Sequence, residues 1–256
     1  RRAAGALRGR VPGVAGPGYI DHYAGSTSMG MEFRPYVLAK LWKDAGHKTT
    51  ILAADYSHLR QRNPEPVKGL QRTIIDDIPF LLLHTSNYHG NGVKRIASMM
   101  EFVSKGRAHV QKIIRQARPH VVIASSTYPM DTYLAKLIAD KAGVPLIHEI
   151  HDLWPMTPME LGGYSKNHPF IKMVQKAEVD AYKNADCIVS ILPNAKEHVE
   201  DLGIDTPVVH IPNGIDLGEH EAGDELILNH IHDLKNQGRI VIGYAGGISV
   251  SNAMDD

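Results

Sequence analysis

The sequence predicts an α/β fold, a doubly wound domain on a parallel, Rossmann-like sheet. Three observations carry that expectation. Short apolar runs recur along the chain, separated by segments with helical periodicity. The runs are apolar at successive positions, so each strand is covered on both faces, as in a parallel sheet between helices. Glycine closes several helical segments just before the next run, as in "KDAGHKTTILAA" and "DKAGVPLIHEI", where a chain leaves a helix through a left-handed cap.

The first 17 residues, "RRAAGALRGRVPGVAGP", hold four arginines and no acid, which reads as a disordered or non-native leader. They lack the continuous apolar core of a secretory signal. Residues 18–217 form the predicted domain, with strands at 19–23, 49–54, 80–84, 120–125, 145–150, 187–192 and 208–211. Helices are expected at 32–45, 93–117, 130–142, 170–184 and 195–202. Residues 218–256 read as a linker and the truncated start of another βα domain, with the apolar stretch "RIVIGYAGG" as its first strand. One strand cannot bury its own faces, so the expectation is a complete domain plus the opening of a second.

The chain has 256 residues with 28 basic and 28 acidic side chains, a net charge of zero that gives no field for nucleic acid. A single cysteine, Cys187, excludes an internal disulfide and fits a reducing, cytoplasmic compartment. It lies within "DCIVSIL" and reads as a buried small hydrophobe. No apolar run approaches the roughly 18–20 residues of a membrane-spanning helix.

In parallel α/β sheets, ligands sit beyond the carboxyl ends of the strands, so the loops after each strand are the candidates. After the first strand comes "YAGSTSMGMEFR", small residues leading into a helix. Such a loop suits an anion at the helix N-terminus, and equally suits a plain turn. It has neither G-x-G-x-x-G nor the Gly-Lys-Ser/Thr of a P-loop. "EIHDLWPMTP" is the other unusual stretch, because a core strand ends in His151 and Asp152. Odd spacing sends His148 and His151 to opposite strand faces, which argues against a shared metal ion. No G-x-S-x-G elbow occurs.

Several pieces together resemble family 4 glycosyltransferases of the GT-B fold, of the bacterial capsule, exopolysaccharide or O-antigen type. They are "HYAGSTSMGMEFRPYVLAKLWKDAGHKTTILAA", "RPHVVIASS", "AGVPLIHEIHDLWP", "ADCIVSILPNAKEHVEDLGI", "VVHIPNGID" and "GYAGGISVSNAMDD". The resemblance spans residues 19–256 and reads as the acceptor-side half plus the start of the donor-binding domain. It implies a retaining transfer of sugar from a nucleotide-sugar donor to a glycan or polyprenyl-linked acceptor in cell-surface polysaccharide synthesis. It implies no obligate metal, no cofactor beyond the nucleotide-sugar co-substrate and no covalent nucleophile. The 256-residue chain alone is expected to be inactive, because the donor site is incomplete.

Residue by residue, the resemblance places His151 and Asp152 beside the transferred sugar, with the carboxylate orienting the imidazole. Trp154 walls the acceptor side. Gly25, Ser28 and Gly30 approach donor phosphates, with Glu32 and Arg34 at the head of the first helix. Asn213, Gly214 and Asp216 match a hinge-side loop, and Gly246 and Gly247 the first donor-domain loop. A rival reading keeps His151 as a satisfied strand-end histidine with Asp152 capping the next turn.

The segment 93–118 carries seven Lys or Arg against one Glu, with an apolar stripe that reads as core packing. A basic amphipathic helix also suits anionic lipid, so contact with the inner face of the cytoplasmic membrane is a second expectation. Two other functions share these features: a sugar-nucleotide 2-epimerase of the same fold, and a non-catalytic acceptor-binding subunit working with a separate donor-domain chain.

Overall fold

The computed structural model describes residues 16–31, 33–90, 92–214 and 224–244. The chain divides into two compact units, Arg1–Pro212 and Asn213–Asp256.

The first unit is an α/β, Rossmann-like domain. Its strands are β1 (Pro17–Ile20), β2 (Thr50–Ala54), β3 (Leu70–Ile75), β4 (Ile78–Leu83), β5 (Val121–Ala124), β6 (Leu146–Ile150), β7 (Cys187–Ser190) and β8 (Val208–His210). They form one sheet in the order β3-β4-β2-β1-β5-β6-β7-β8. Every pairing is parallel except β3 with β4. From β1 the sheet grows through β2 on one side and through β5 on the other, so the strand order reverses between β1 and β5. That switch point is where such sheets hold ligands.

Helices cover both faces. On one side α1 (Phe33–Asp44) packs Tyr36, Leu38, Ala39 and Trp42 against Tyr19, Ile51, Phe80 and Leu82. On the other, α2 (Val93–Ala108), α3 (Val110–Ala117), α4 (Thr132–Ala142) and α6 (Pro169–Asn184) bury Phe102, Ile113, Leu134 and Val174 with Leu52, Leu81 and Val122. Each fully buried aliphatic or aromatic side chain contributes about 1.5–3 kcal/mol. The remaining helices of this unit are the short α5 (Met156–Glu160) and α7 (Ala195–Asp201).

The structure departs from the sequence expectation at several elements. β1 begins at Pro17, before the expected position, because a strand's first residue needs no ladder N–H. It ends at Ile20 because Asp21 accepts the Tyr23 N–H and turns the chain. β3 was not expected. It is an edge strand whose Gln71, Arg72 and Ile74 face solvent, so it lacks a continuous apolar run. Its turn to β4 is the pair Asp76–Asp77, both at positive φ (45° and 64°), as a two-residue hairpin requires.

The single helix expected over 93–117 is two. They meet at His109, whose backbone leaves the helical region (φ −101°, ψ 7°) and whose Nδ1 lies 2.9 Å from the Lys105 carbonyl oxygen, which also accepts the His109 N–H at 3.2 Å. Gly106, buried within α2, lies against Leu134, and a Cβ there would collide with that side chain. In α5 Pro158 sits in the first turn, where a missing N–H costs nothing. Cys187 opens β7 and is only partly buried.

Three cations of the 93–118 segment are held by the protein. Arg95 lies over the Tyr23 ring and donates to its hydroxyl, Lys105 donates to the His84 carbonyl and pairs with Glu101, and Lys112 donates to the Leu70 carbonyl. No helix among the described residues is long and apolar enough to cross a membrane.

In the second unit, α8 (Glu225–Asn236) starts where Asp224 accepts the Leu226 N–H at 2.9 Å. Residues 239–244 form no strand, and Ile240 and Ile242 are about nine-tenths exposed. A strand needs a paired neighbour, and the described part of this unit holds none. Glu32, Asp216, Gly246 and Gly247 lie outside the described residues.

Candidate active site at the sheet's switch point

Strand register builds the site. Tyr19 pairs with Ile123, and Ile123 with Ile147, so these three share one face of the sheet. Side chains alternate, so two residues further on Ser125 and Glu149 share that face, and His151 follows at the exit of β6. Four polar side chains therefore meet at the carboxyl ends of β1, β5 and β6, beside the switch point.

Glu149 is the hub. Its Oε2 accepts from the Tyr19 hydroxyl and from Ser125 Oγ at 2.6 Å, and lies 3.3 Å from His151 Nε2. Ser125 Oγ is also 2.7 Å from His151 Nε2. Glu149 Oε1 accepts from Arg34 Nη2 at 2.8 Å and Nε at 3.1 Å. Arg34, in the first turn of α1, donates as well to the carbonyls of Ile211 (3.0 Å) and Pro212 (3.3 Å). A carboxylate with only 4% of its side chain exposed needs such partners to stay charged.

The electrostatics follow. Burial alone would raise the Glu149 pKa, but hydrogen bonding and charge from His151, with hydrogen bonds from Ser125 and Tyr19, bring it down to about 2. Burial, then the Glu149 charge, pushes the Tyr19 phenol well above its usual range, so it stays a donor. A permanent anion beside Nε2 keeps a proton on that nitrogen and fixes how the ring is presented. The His151 side chain is 11% exposed and lines a small crevice with Ser126, Thr127, Asp152 and Trp154. A histidine so oriented suits a hydrogen bond to a sugar hydroxyl or to charge developing on a substrate oxygen.

Other residues occupy the wings of this site. The carboxylate within hydrogen-bond distance of His151 Nε2 is Glu149, whereas Asp152 accepts from Thr157 Oγ1 at 2.5 Å and braces the first turn of α5. Nε2 therefore has Glu149 as its carboxylate, a residue the sequence reading did not nominate. Trp154, joined to Pro155 by a cis peptide bond, packs edge-on against Phe170 with 6.2 Å between ring centroids.

The loop after β1 packs tightly. A Cβ on Gly25 would strike the Met31 carbonyl, and Gly30 has φ +80°. Ser28 donates its N–H to Asp76 Oδ2 at 2.9 Å, so a carboxylate already stands where an anion was expected. Arg34 likewise holds a carboxylate of this chain. Asn213 and Gly214 are exposed, in the second unit.

On the opposite face of β6, His148 is fully buried with Nδ1 2.9 Å from Thr132 Oγ1, and burial and then the His151 charge lower its pKa to about 4. Nearby Asp131 is buried, and desolvation raises its pKa to about 7 although Ser126 N–H donates to it at 3.0 Å. No group of three His, Cys, Asp or Glu side chains among the described residues is placed to hold a metal ion.

Sequence reasoning passed over Glu149, Tyr19 and Ser125. The signal for Glu149 was a charged residue inside an apolar strand, two positions before His151 and so on its face. Tyr19 and Ser125 become visible only with the register.

The sequence model of glycosyltransferase family 4 matches residues 29–219, well over half of the chain. The chain belongs to glycosyltransferase family 4. Its fold is similar to that of sucrose-phosphate synthase from Thermosynechococcus elongatus at 12% identity and a TM-score of 0.57, over 80% of this chain and 49% of that one. A shorter chain of that synthase matches at 12% identity and a TM-score of 0.51, over 86% of this chain and 98% of that one. UDP-GlcNAc 2-epimerase from Methanocaldococcus jannaschii matches at 14% identity, with a TM-score of 0.46 over 77% of this chain and 45% of that one. At such identities the two synthase matches show the fold. The family 4 chain spans about half the length of the longer synthase. No curated protein matches the sequence.

Proposed function

We propose that this family 4 chain supplies the acceptor side of a glycosyltransferase that moves a sugar, with retention, from a nucleotide-sugar donor to a glycan or lipid-linked acceptor of a cell-surface polysaccharide. The observation that carries the reading is the Glu149 hub. It holds His151 in one orientation at the switch point, and a buried carboxylate with this many partners is more than a strand end requires. His151 is assigned to the transferred sugar or its developing charge, and Trp154 to the acceptor wall. Arg34 and Glu149 are positioning residues, and no covalent nucleophile or metal is assigned. Membrane contact is left out of the proposal. With Arg95, Lys105 and Lys112 held by protein acceptors, the 93–118 segment does not present a continuous cationic strip.

The test is release of nucleotide from a panel of nucleotide sugars, with candidate acceptors, by the protein encoded by the complete reading frame. Glycosylated product with the anomeric configuration of the donor is expected. Donor consumed into an epimerised sugar without any glycosylated product would assign 2-epimerisation instead. The 256-residue chain is expected to release no nucleotide.

A further inference from the structure

A cavity of about 720 Å³ opens at the opposite end of the strands, where β2 and β4 begin. That volume is typical of small-molecule sites. Its rim carries Lys43, Lys48, Arg72, Arg115 and Arg118, five cations against the single carboxylate of Asp77. They come from separate elements: the end of α1 and the loop after it, β3, and the end of α3.

Helix ends attract cations, and that explains Lys43 and Arg115, each in a last helical turn. It also covers Arg118, the C-cap of α3, but it does not explain Lys48 and Arg72. Like charges gathered around one concavity repel one another unless an anion is taken up between them. The sequence just before Gly16, which lies against Lys48, cannot supply that anion, because residues 1–15 hold four arginines and no acid.

A second observation is independent of charge. Two of the residues lining the same cavity, Thr49 and Gln116, each hold a buried side-chain oxygen (Oγ1 and Oε1) without a hydrogen-bond partner. Thr49 is only 3% exposed. A buried hydroxyl normally finds a partner, and Thr49 has a proton to donate into the floor of a cationic cavity. We propose that this cavity is a second binding site, for a phosphate-bearing anion. The rim cations neutralise it, and the Thr49 hydroxyl donates to a phosphate oxygen. Neither the switch-point cluster nor any sugar transfer is involved, so this site stands or falls separately from the proposed function.

The experiment is calorimetric titration of the 256-residue chain with inorganic pyrophosphate at moderate salt. Saturable binding is expected. Combined Lys48→Glu and Arg72→Glu reversal, on exposed side chains that hold no core, should weaken it at least about tenfold, the effect of one lost charged hydrogen bond or more. Thr49→Val, which keeps the shape and removes the hydroxyl, should weaken it by roughly threefold to tenfold with the thermal midpoint little changed. Lys196→Glu on α7 and His151→Ala should leave the affinity as it is. Absence of saturable binding at millimolar pyrophosphate would overturn the proposal. So would equal weakening by Lys196→Glu, loss confined to His151→Ala, or Thr49→Val binding as well as the wild type.

Two arms separate the possible sources of the phosphate. If a lipid headgroup is the ligand, phosphatidylcholine vesicles sediment the chain only when they carry phosphatidic acid, and pyrophosphate releases it. If a free phosphate compound is the ligand, pyrophosphate binds and neither vesicle sediments the chain.

Discussion

His148 and His151 lie three positions apart on one strand and its exit, and the two sides of the sheet treat them oppositely. On the face covered by α4 and α6 His148 is sealed against Thr132 and Tyr182, and desolvation holds it neutral. On the other face His151 stands beside a carboxylate that stays ionised, and both histidines line the same small crevice. Residue type is the same. The difference is the neighbour two positions back, apolar Leu146 for His148 and Glu149 for His151. Both histidines line the crevice, so what makes one of them a candidate for chemistry is the charged partner the fold gives it.

The strongest way to break this comparison is to remove the hub. Glu149→Ala leaves the Arg34 cation and the Tyr19 hydroxyl facing a buried gap, and should lower unfolding free energy by about 3–5 kcal/mol. Urea unfolding of the 256-residue chain measures it. A loss below about 1 kcal/mol would mean the cluster is no more than a surface ion pair.

Next in size is the effect on turnover. In the protein from the complete reading frame, His151→Ala should lower turnover by about 10²-fold, which is roughly 2.7 kcal/mol, with little change in stability. His148→Asn should leave turnover within about threefold. Equal losses from the two substitutions would erase the distinction between the faces and return His151 to a packing role.

The sequence carried the sheet's parallel core because Val121–Ala124, Ile78–Leu83 and all but the first residue of Thr50–Ala54 are apolar, with helical segments along the chain between Leu83 and Val121. It did not carry β3, whose outward side is polar and whose Asp76–Asp77 turn is not one of the glycine-bearing pairs that usually mark hairpins. It carried His151 as a candidate, because His-Asp after a buried strand is unusual. It did not carry the hub. The contact between Tyr19 and Glu149 joins residues 130 positions apart, and only the lateral register of three strands brings them together. Arg34 was legible as a cation at a helix head. The anion it meets belongs to its own chain, and spacing along a sequence cannot distinguish that anion from a ligand.

The smallest expected effect separates the two faces by pH. His148 has its pKa lowered from 6.5 to about 4 by burial, so the unfolded chain binds the proton first as pH falls. Its contribution to stability is complete above about pH 6.5 and is lost progressively down to about pH 4. Glu149 is depressed from 4.5 to about 2, so its contribution is present above about pH 4.5 and is lost as pH falls towards 2. The His148 face therefore weakens first on acidification, and the Glu149 cluster later. Other groups act in this range as well: His58, lowered from 6.5 to about 4 by burial, adds to the loss on acidification, and burial raises Glu178, which opposes it. His22, pushed well down by burial, adds to the loss on acidification, whereas Asp131, raised from 3.8 to about 7, makes the fold less stable as pH rises through that range. His148→Asn keeps an acceptor for Thr132 and removes only the titration of that imidazole. It should flatten, without abolishing, the change in unfolding free energy between pH 6.5 and 4, by on the order of 2 kcal/mol, while leaving the decline below pH 4 unchanged. Urea midpoints at pH 8, 6.5, 5 and 4 measure this. Parallel curves for mutant and wild type across the upper window would show that His148 is not held neutral, and the contrast between the two faces would then rest on the Glu149 partner alone.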